Sequence, residues 1–529
     1  MSQPVVQGTP PETANQRHRR GHGNPWLTLI AVALGVIMVT LDGTVVAIAN
    51  PAISKDLGAS LSDLQWVTNG YLLALAVSLI TAGKLGDRIG HKPVFLIGAV
   101  GFGLASAGIG LSRDIGLMIA LRVAQGLFGA MLQPTALALL RAAFPARRLN
   151  MAIGIWSACI AASTAAGPIV GGLLVQHVNW ESVFFINVPV GLVALVVGAL
   201  FLGDTRGEDR PASFDLLGVM LLSGMLFSLV WAVIKAPAYG WGDGRTLAFF
   251  GAAIALLAVF LLRESRTREP LLPLGLFRSV PLSVGVVLMT LMAFGMLGGM
   301  FFLTFYLQSV HLLTPVQTGV RLLPMMLAMM VASPVAGALI SKIGPRPPLF
   351  AGMALGGVAF VGLSTLGIDA SFTAMFPWFT LLGIGLSPVL VAATDIIVGN
   401  APVALAGVAG GLQQVSMQVG GALGTSVLGA VMTAKVAGVL PGHMKAGGLP
   451  VPTGPQVDAM KGAISQGIAP VPPHTPPRVA QALVRAGDLS FIDGMHLAFE
   501  VSAGIMFGAA LLSLLVRAGR QVEGAATLA

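Results

Sequence analysis

Beginning at Trp26, stretches of about twenty apolar residues follow one another almost to the C-terminus, with short polar segments between them. A hydrocarbon core about 30 Å thick needs about 20 apolar residues to be crossed as a helix. On that ruler, spans fall at 26–49, 64–83, 93–111, 116–140, 151–176, 183–202, 215–235 and 246–263. Six more follow at 282–307, 318–340, 348–368, 374–396, 406–434 and 493–516. Only 10% of the 529 residues are charged, against about 25% in a soluble chain. The expectation is an all-α polytopic membrane protein with fourteen transmembrane helices. Residues 1–25 form a polar tail carrying Arg17, Arg19 and Arg20. The apolar stretch after it is too long for a signal peptide, so the first span is expected to be retained.

Several functional classes fall away on composition. The net charge of +9 is scattered between apolar blocks, with no basic cluster interleaved with aromatics, so no nucleic-acid partner is expected. The single cysteine, Cys159, can form no intrachain disulfide and reads as a small packing residue. No Gly-x-x-x-x-Gly-Lys loop occurs, and the histidines lack metal-ligand spacing. No enzyme activity, metal or bound cofactor is expected, so the energy source is an ion gradient. Protons suit a chain with one dominant buried acid.

Lysine and arginine set the orientation. With both termini cytoplasmic, and with Lys235 and Arg263 counted at their span ends, cytoplasmic segments hold 19 of them and short external loops hold 4. That is the sense of the positive-inside rule. Arginine outnumbers lysine 22 to 8, as in GC-rich bacterial genomes, which points to a bacterial cytoplasmic membrane. Segment 435–492 is rich in Pro and Gly, with Pro472-Pro473 and Pro476-Pro477. It reads as a loosely ordered external loop, with a binding lid as the alternative.

One motif occurs twice. Gly83, Leu85, Asp87, Arg88, Gly90 and Lys92 follow the second span, and Gly337, Leu339, Ser341, Lys342, Gly344 and Arg346 follow the tenth. Matching the second helix to the tenth makes the seventh and eighth an inserted pair and implies parallel duplication of a six-helix unit. The expected divisions are a cytoplasmic tail 1–25, a bundle 26–202, an inserted pair with linkers 203–281, a bundle 282–516 and a cytoplasmic tail 517–529.

With these residues the chain resembles the major facilitator superfamily, in particular its drug:proton antiporter branch with fourteen spans. Gly83 to Lys92 matches the superfamily's cytoplasmic loop motif. Leu41 to Val46, Gln65 to Tyr71, and Arg122 with Gln125 and Gly126 resemble stretches of that branch. Gly154, Gly167, Pro168, Gly171 and Gly172 are similar to the antiporter motif of exporters, with Ser163 in place of one glycine. The first helix also departs from the branch, having Ala47 where Asn is usual and Asn50 one turn later. The resemblance implies the major facilitator fold, two six-helix bundles plus the inserted pair, acting as a monomer.

Asp42 is the leading candidate for proton coupling. Desolvation favours the neutral form of a carboxyl group at that depth, and a cationic substrate would compete with the proton for it. The structural alternative is a carboxylate permanently paired with a cation. Arg122 lies at nearly the same depth, and the resemblance implies that it engages Asp42 in one conformation; a fixed packing anchor is the alternative. Gly83, Asp87, Arg88, Gly90 and Lys92 are implied to gate the cycle, or else serve as topology signals. The antiporter-motif glycines and Pro168 allow close approach and bending, as a conformational pivot or as plain packing. Trp66, Gln125, Gln133, Phe302, Phe305, Gln413, Gln414 and Gln418 are candidates for a mostly apolar substrate cavity, any glutamine being equally suited to interhelical contact. Glu500 shares a helix face with Asp493 and His496, and is either a second acid or an interfacial group.

The expected function is proton-coupled export of a small hydrophobic, monocationic or neutral drug or antibiotic, with protons, substrate and membrane lipid as partners. One cavity acid implies about one proton per substrate and poor transport of dications. An exporter of an endogenous lipid or metabolite shares these motifs. An importer or a non-transporting sensor fits them less well.

Overall fold

The structure is a computed structural model describing residues 24–203, 215–267, 270, 272, 274–401, 406–451, 455–472 and 475–516. Residues 1–23 of the expected N-terminal tail, the C-terminal tail and residues 204–214 lie outside them. Of Asp87 and Gly154 only the helical backbone is described. The first half contains α1 (Pro25–Leu57), α2 (Leu61–Ile89), α3 (His91–Leu111), α4 (Ile115–Ala143), α5 (Ala146–His177), the short α6 (Ser182–Phe185) and α7 (Asn187–Phe201). The pair α8 (Leu216–Tyr239) and α9 (Gly244–Glu264) follows. The second half contains α10 (Val280–Phe305), α11 (Pro315–Ile343), α12 (Arg346–Leu363), α13 (Phe372–Gly399), α14 (Ala406–Ala446), α15 (Pro455–Ile464) and α16 (Pro477–Ser513). Among the described residues twelve helices are long and apolar enough to cross a membrane. Two others, α2 and α5, have 29 and 32 residues.

Local chemistry sets the helix ends. Side chains of Asn24, Ser60, Asp114, Asp215, Asp243, Ser279, Thr314 and Ser371 accept first-turn backbone N–H groups, as N-caps do. The sequence repeat reappears in this detail. Both α2 and α11 are 29 residues long and begin with a capping box, Ser60/Asp63 and Thr314/Gln317. Each also stops at a glycine of positive φ, Gly90 at 104° and Gly344 at 79°, a conformation that residues with a Cβ avoid. The motif read as a loop is thus mainly the last turns of α2.

The halves are built alike. In the first, α2 and α3 pack on α4, α1 packs on α5 and α7, and α3 packs on α7. In the second, α11 and α12 pack on α13, α10 packs on α14 and α16, and α12 packs on α16. The halves meet along two seams related by the same correspondence, α5 with α11 and α2 with α14. The inserted α8 lies against both α2 and α14 and so covers the second seam. It is tied to α2 by Lys235 Nζ donating to Ser62 Oγ at 3.0 Å and by Phe227 on Trp66. At the other end of the pair, Asp215 caps α8 and accepts from Arg263 Nη2 at 2.6 Å. Burial alone would push Asp215 up, but Arg263 and the Gly218 N–H hold its carboxyl below the ordinary carboxylate range.

Segment 435–492 is not a loosely ordered loop. Helix α14 continues to Ala446, α15 forms, and α16 begins at Pro477. Leu440, Met444, Leu449 and Ile464 are buried in the main core cluster. Prolines counted as breakers stand where the chain tolerates them: Pro455 and Pro477 are the first residues of helices. Likewise α1 runs through Pro51 to Leu57, eight residues past its expected end.

We call the face where α1 starts the near face and the face where it ends the far face. The far face is closed. Gln308 Nε2 donates to Ile48 O at 2.9 Å, Ser54 Oγ to Gln466 Oε1 at 2.5 Å, and Val316 N to Gln176 Oε1 at 3.4 Å. Gln308 belongs to a single π-helical turn, Tyr306–Val310, that ends α10. Along the first seam the backbones touch through reciprocal glycines. A Cβ on Gly172 would stand 2.5 Å from Pro315 O, and one on Gly319 would run into Pro168 O. Forcing extra carbon into such a contact costs about 1–3 kcal/mol. Gly172→Val and Gly319→Val should each shift the population away from the far-closed state by about five- to a hundredfold. The check is faster labelling of a Gln308→Cys reporter by an impermeant maleimide added at the far face.

Candidate proton-coupling site

Between α1, α3, α4 and α7 the apolar interior is broken by one polar cluster. Asp42 and Arg122 are each 1% exposed. Arg122 Nη1 donates to Asp42 Oδ2 at 2.5 Å, and its Nε donates to Val67 O at 3.0 Å. Gln125, one turn along α4, bridges the pair: its Oε1 accepts from Arg122 Nη1 at 2.6 Å and its Nε2 donates to Asp42 Oδ1 at 2.9 Å. Asn187 Nδ2, from the start of α7, donates to the same Oδ1 at 3.1 Å. Ser106 Oγ on α3 accepts from both amides, at 2.8 Å and 3.3 Å. The Arg122 guanidinium lies 4.1 Å from the Tyr71 ring centroid, a cation–π contact, and the Tyr71 hydroxyl donates to Val39 O at 3.2 Å.

This is a buried charge pair, stabilised by hydrogen bonds from α2, α4 and α7, with Ser106 of α3 behind them. Its chemistry follows from the donors. A carboxylate accepts only, so every partner must offer hydrogen, and each does. Taking up a proton cancels the charge on Asp42 and removes the electrostatic reason for Arg122 to stay. Arg122 still keeps the Val67 carbonyl, the Gln125 oxygen and the Tyr71 ring.

The other anticipated residues divide. Gln125 belongs to the ion network and not to a substrate wall. Trp66 is half-buried against a core cluster and packs on Phe227 of the inserted pair, with ring centroids 5.4 Å apart. Phe302 and Phe305 are fully buried and cluster with Phe301 at 5.0 and 5.5 Å. Gln414 Nε2 donates to Gln133 Oε1 at 2.6 Å, joining α14 to α4 across the halves. Gln413 is half-buried and Gln418 buried. A Cβ on Gly83 would meet Pro134 at ordinary contact distance, and Arg88 is exposed. Lys92 Nζ donates to Ala199 O and Leu202 O, both at 2.9 Å, and so caps the C-terminus of α7. Gly167 and Gly171 face α1, where a Cβ would strike Thr44 and press on Val45, while Gly172 faces α11 beside Pro168. Glu500 is exposed, whereas Asp493 pairs with His443 at 2.8 Å and His496 with Leu366 O at 2.8 Å. Among the described residues no cluster of His, Cys, Asp and Glu could hold a metal.

Asn187, Ser106 and Tyr71 were missed as site residues in the sequence. Asn187 and Ser106 are lone polar residues in apolar runs, a pattern that small hydrogen-bonding residues in membrane helices produce routinely, and Tyr71 follows Thr68 and Asn69 with nothing to single it out. Removing one partner of a buried pair typically costs about 3–5 kcal/mol. Arg122→Ala should therefore lower the melting temperature in detergent markedly, and Asp42→Asn combined with Arg122→Gln should recover most of it. Equal melting of single and double variants would show that the pair is not coupled.

Comparison with known proteins places this geometry in context. Residues 32–425 match the sequence profile of the Major Facilitator Superfamily. The chain is 57% identical over 503 residues, 95% of its length and 94% of the relative's, to the tetracenomycin C resistance and export protein of Streptomyces glaucescens. It is 31% identical over 524 residues, 98% and 99% of the two chains, to the multidrug efflux pump LfrA of Mycolicibacterium smegmatis. Among solved structures it resembles a bacterial homolog of the human lysosomal transporter Spinster, inward-facing and unoccupied. That match has a TM-score of 0.62 at 18% identity and covers 93% of this chain and 98% of the other.

Proposed function

The chain belongs to the Major Facilitator Superfamily, in its drug-exporter branch, and on that premise we propose that it is a proton-coupled antiporter of small hydrophobic drugs or antibiotics. The observation that carries the coupling is the buried Asp42–Arg122 pair in the middle of the helical bundle. The substrate class follows the relatives, one of which is named for tetracenomycin C export and another for multidrug efflux. The near face is cytoplasmic, because the Lys- and Arg-rich segments lie there. The membrane is the bacterial cytoplasmic membrane and the unit is a monomer. The energy comes from the proton gradient, with no bound cofactor.

In the far-closed state Asp42 is held by Arg122, which is the form expected after its proton has left to the cytoplasm. Substrate then enters from the near side between the halves, where Gln133, Gln413, Gln414 and Gln418 offer hydrogen bonds in apolar surroundings. Once the far face opens, a proton reaches Asp42, Arg122 lets go, and substrate leaves outward as the proton is carried in. Gly172 and Gly319 permit the close contact that ends each cycle.

The test is efflux of ethidium and of tetracenomycin C from cells under an imposed pH gradient. The native protein should drive both, and Asp42→Asn should reduce gradient-driven efflux at least about a hundredfold, the scale of removing an essential proton carrier. Full efflux by that variant would refute the role of Asp42. Among the described residues Asp42 is also the only buried acid within a span among α1–α7 and α10–α16. About one proton should therefore move per monovalent substrate, and a bis-quaternary dication should be exported more slowly than its monovalent analogue. Counting protons against substrate in proteoliposomes checks this.

A further inference from the structure

The proton site contains an amide whose role the ion pair does not explain. Three groups face the carboxylate of Asp42, and all three present hydrogen: Arg122 Nη1 to Oδ2, and Gln125 Nε2 and Asn187 Nδ2 to Oδ1. A protonated carboxyl must donate one hydrogen bond, and it finds no acceptor in this arrangement. One neighbour has to turn its oxygen inward. Arg122 has no acceptor to offer. Gln125 has one, but Arg122 Nη1 holds it at 2.6 Å, so turning Gln125 would set two donors against each other. Asn187 alone can turn without disturbing the Arg122–Gln125 bond, because Gln125 Nε2 keeps Ser106 Oγ supplied at 2.8 Å.

Resting on the assignment of Asp42 as the proton carrier, we propose that Asn187, backed by Ser106, is a positioning residue of the proton site. Its amide N–H favours the ionised, Arg122-paired Asp42, and its carbonyl accepts from Asp42 once Oδ1 has taken a proton. Asn187 is 1% exposed and Ser106 is fully buried, so no water substitutes freely for either. The position is fixed by the chain, since α7 starts at Asn187 directly after the short α6. The electrostatic surroundings are simple. Facing Asp42, α4 supplies Arg122 and α2 supplies Tyr71. The remaining neighbours, α5, α6, α7, α10 and α11, bring no ionisable side chain to its level among the described residues; Arg321 of α11 lies instead over the Phe372 ring near the far face.

A hydrogen bond donated to a carboxylate favours its ionised form, so losing it makes protonation easier and moves titration to higher pH. The measurement is a pH titration of the protonated-carboxyl infrared band in reconstituted protein, assigned by its absence in Asp42→Asn. Asn187→Ala loses both bonds, and because the charge-assisted one to the ionised form is roughly twice as strong as the neutral one, the midpoint should rise by about half a pH unit. Asn187→Asp, which keeps the shape but removes the donor and adds a like charge, should raise it further. The pH profile of ethidium efflux should move the same way in Asn187→Ala. Native midpoints in both variants would overturn the proposal. A shift in Asn187→Ala without one in Asn187→Asp would overturn it too, since packing loss would then be the cause. A band that survives Asp42→Asn would instead remove the premise that Asp42 carries the proton.

Discussion

An ion pair out of reach of water must be satisfied by protein, or it does not persist. Moving a carboxylate and a guanidinium into a low-dielectric interior costs several kcal/mol each, and only close approach with additional hydrogen bonds offsets that. Here the offset comes from four separate helices. Val67 O from α2, Gln125 from α4 and Asn187 from α7 converge on the pair, with Ser106 of α3 behind. The packing of the first half is therefore tied to the charge state at its centre. A change of one proton alters contacts on α1, α2, α4 and α7 together, which is how a small event can bias the arrangement of a large bundle.

Among the described residues the second half carries no such buried ion pair, although its long helices repeat the packing of the first. At the repeat level the halves agree down to capping boxes and terminal glycines. What distinguishes them is placement of polarity. The first half holds a titratable centre, while α10 presents buried aromatic rings, Phe301, Phe302 and Phe305. Duplication supplied the scaffold, and divergence left the buried ion pair on one side of the interface.

Much of this was legible before any coordinates. Asp42 and Arg122 stand out because ionised groups in apolar runs are costly and therefore rare. The repeat was legible because its glycines obey a backbone requirement that other residues cannot meet. The contact of Trp66 with Phe227 was not legible, because depth along a helix says nothing about which face a side chain occupies. Asn187 and Ser106 were overlooked because an uncharged polar residue in a membrane helix is cheap enough to need no explanation. The helices of 435–492 were hidden by proline, whose effect depends on whether it falls at the first turn or inside. Composition cannot tell these apart.

The two seams between the halves are equivalent by internal symmetry and unequal in fact. One brings glycine backbones into direct contact; the other is sheathed by α8, which grips α2 and α14 at once. If the halves rock, the glycine seam can part like the fore-edge of a book, while the sheathed seam behaves as its spine. Acyl chains on the spine side keep a continuous helical wall beside them through the motion. On the fore-edge side they meet a boundary that changes width with every turnover. With such rocking, the lipid around the protein would be mechanically uneven, and bilayer thickness or lateral pressure would act on the motion mainly from one flank.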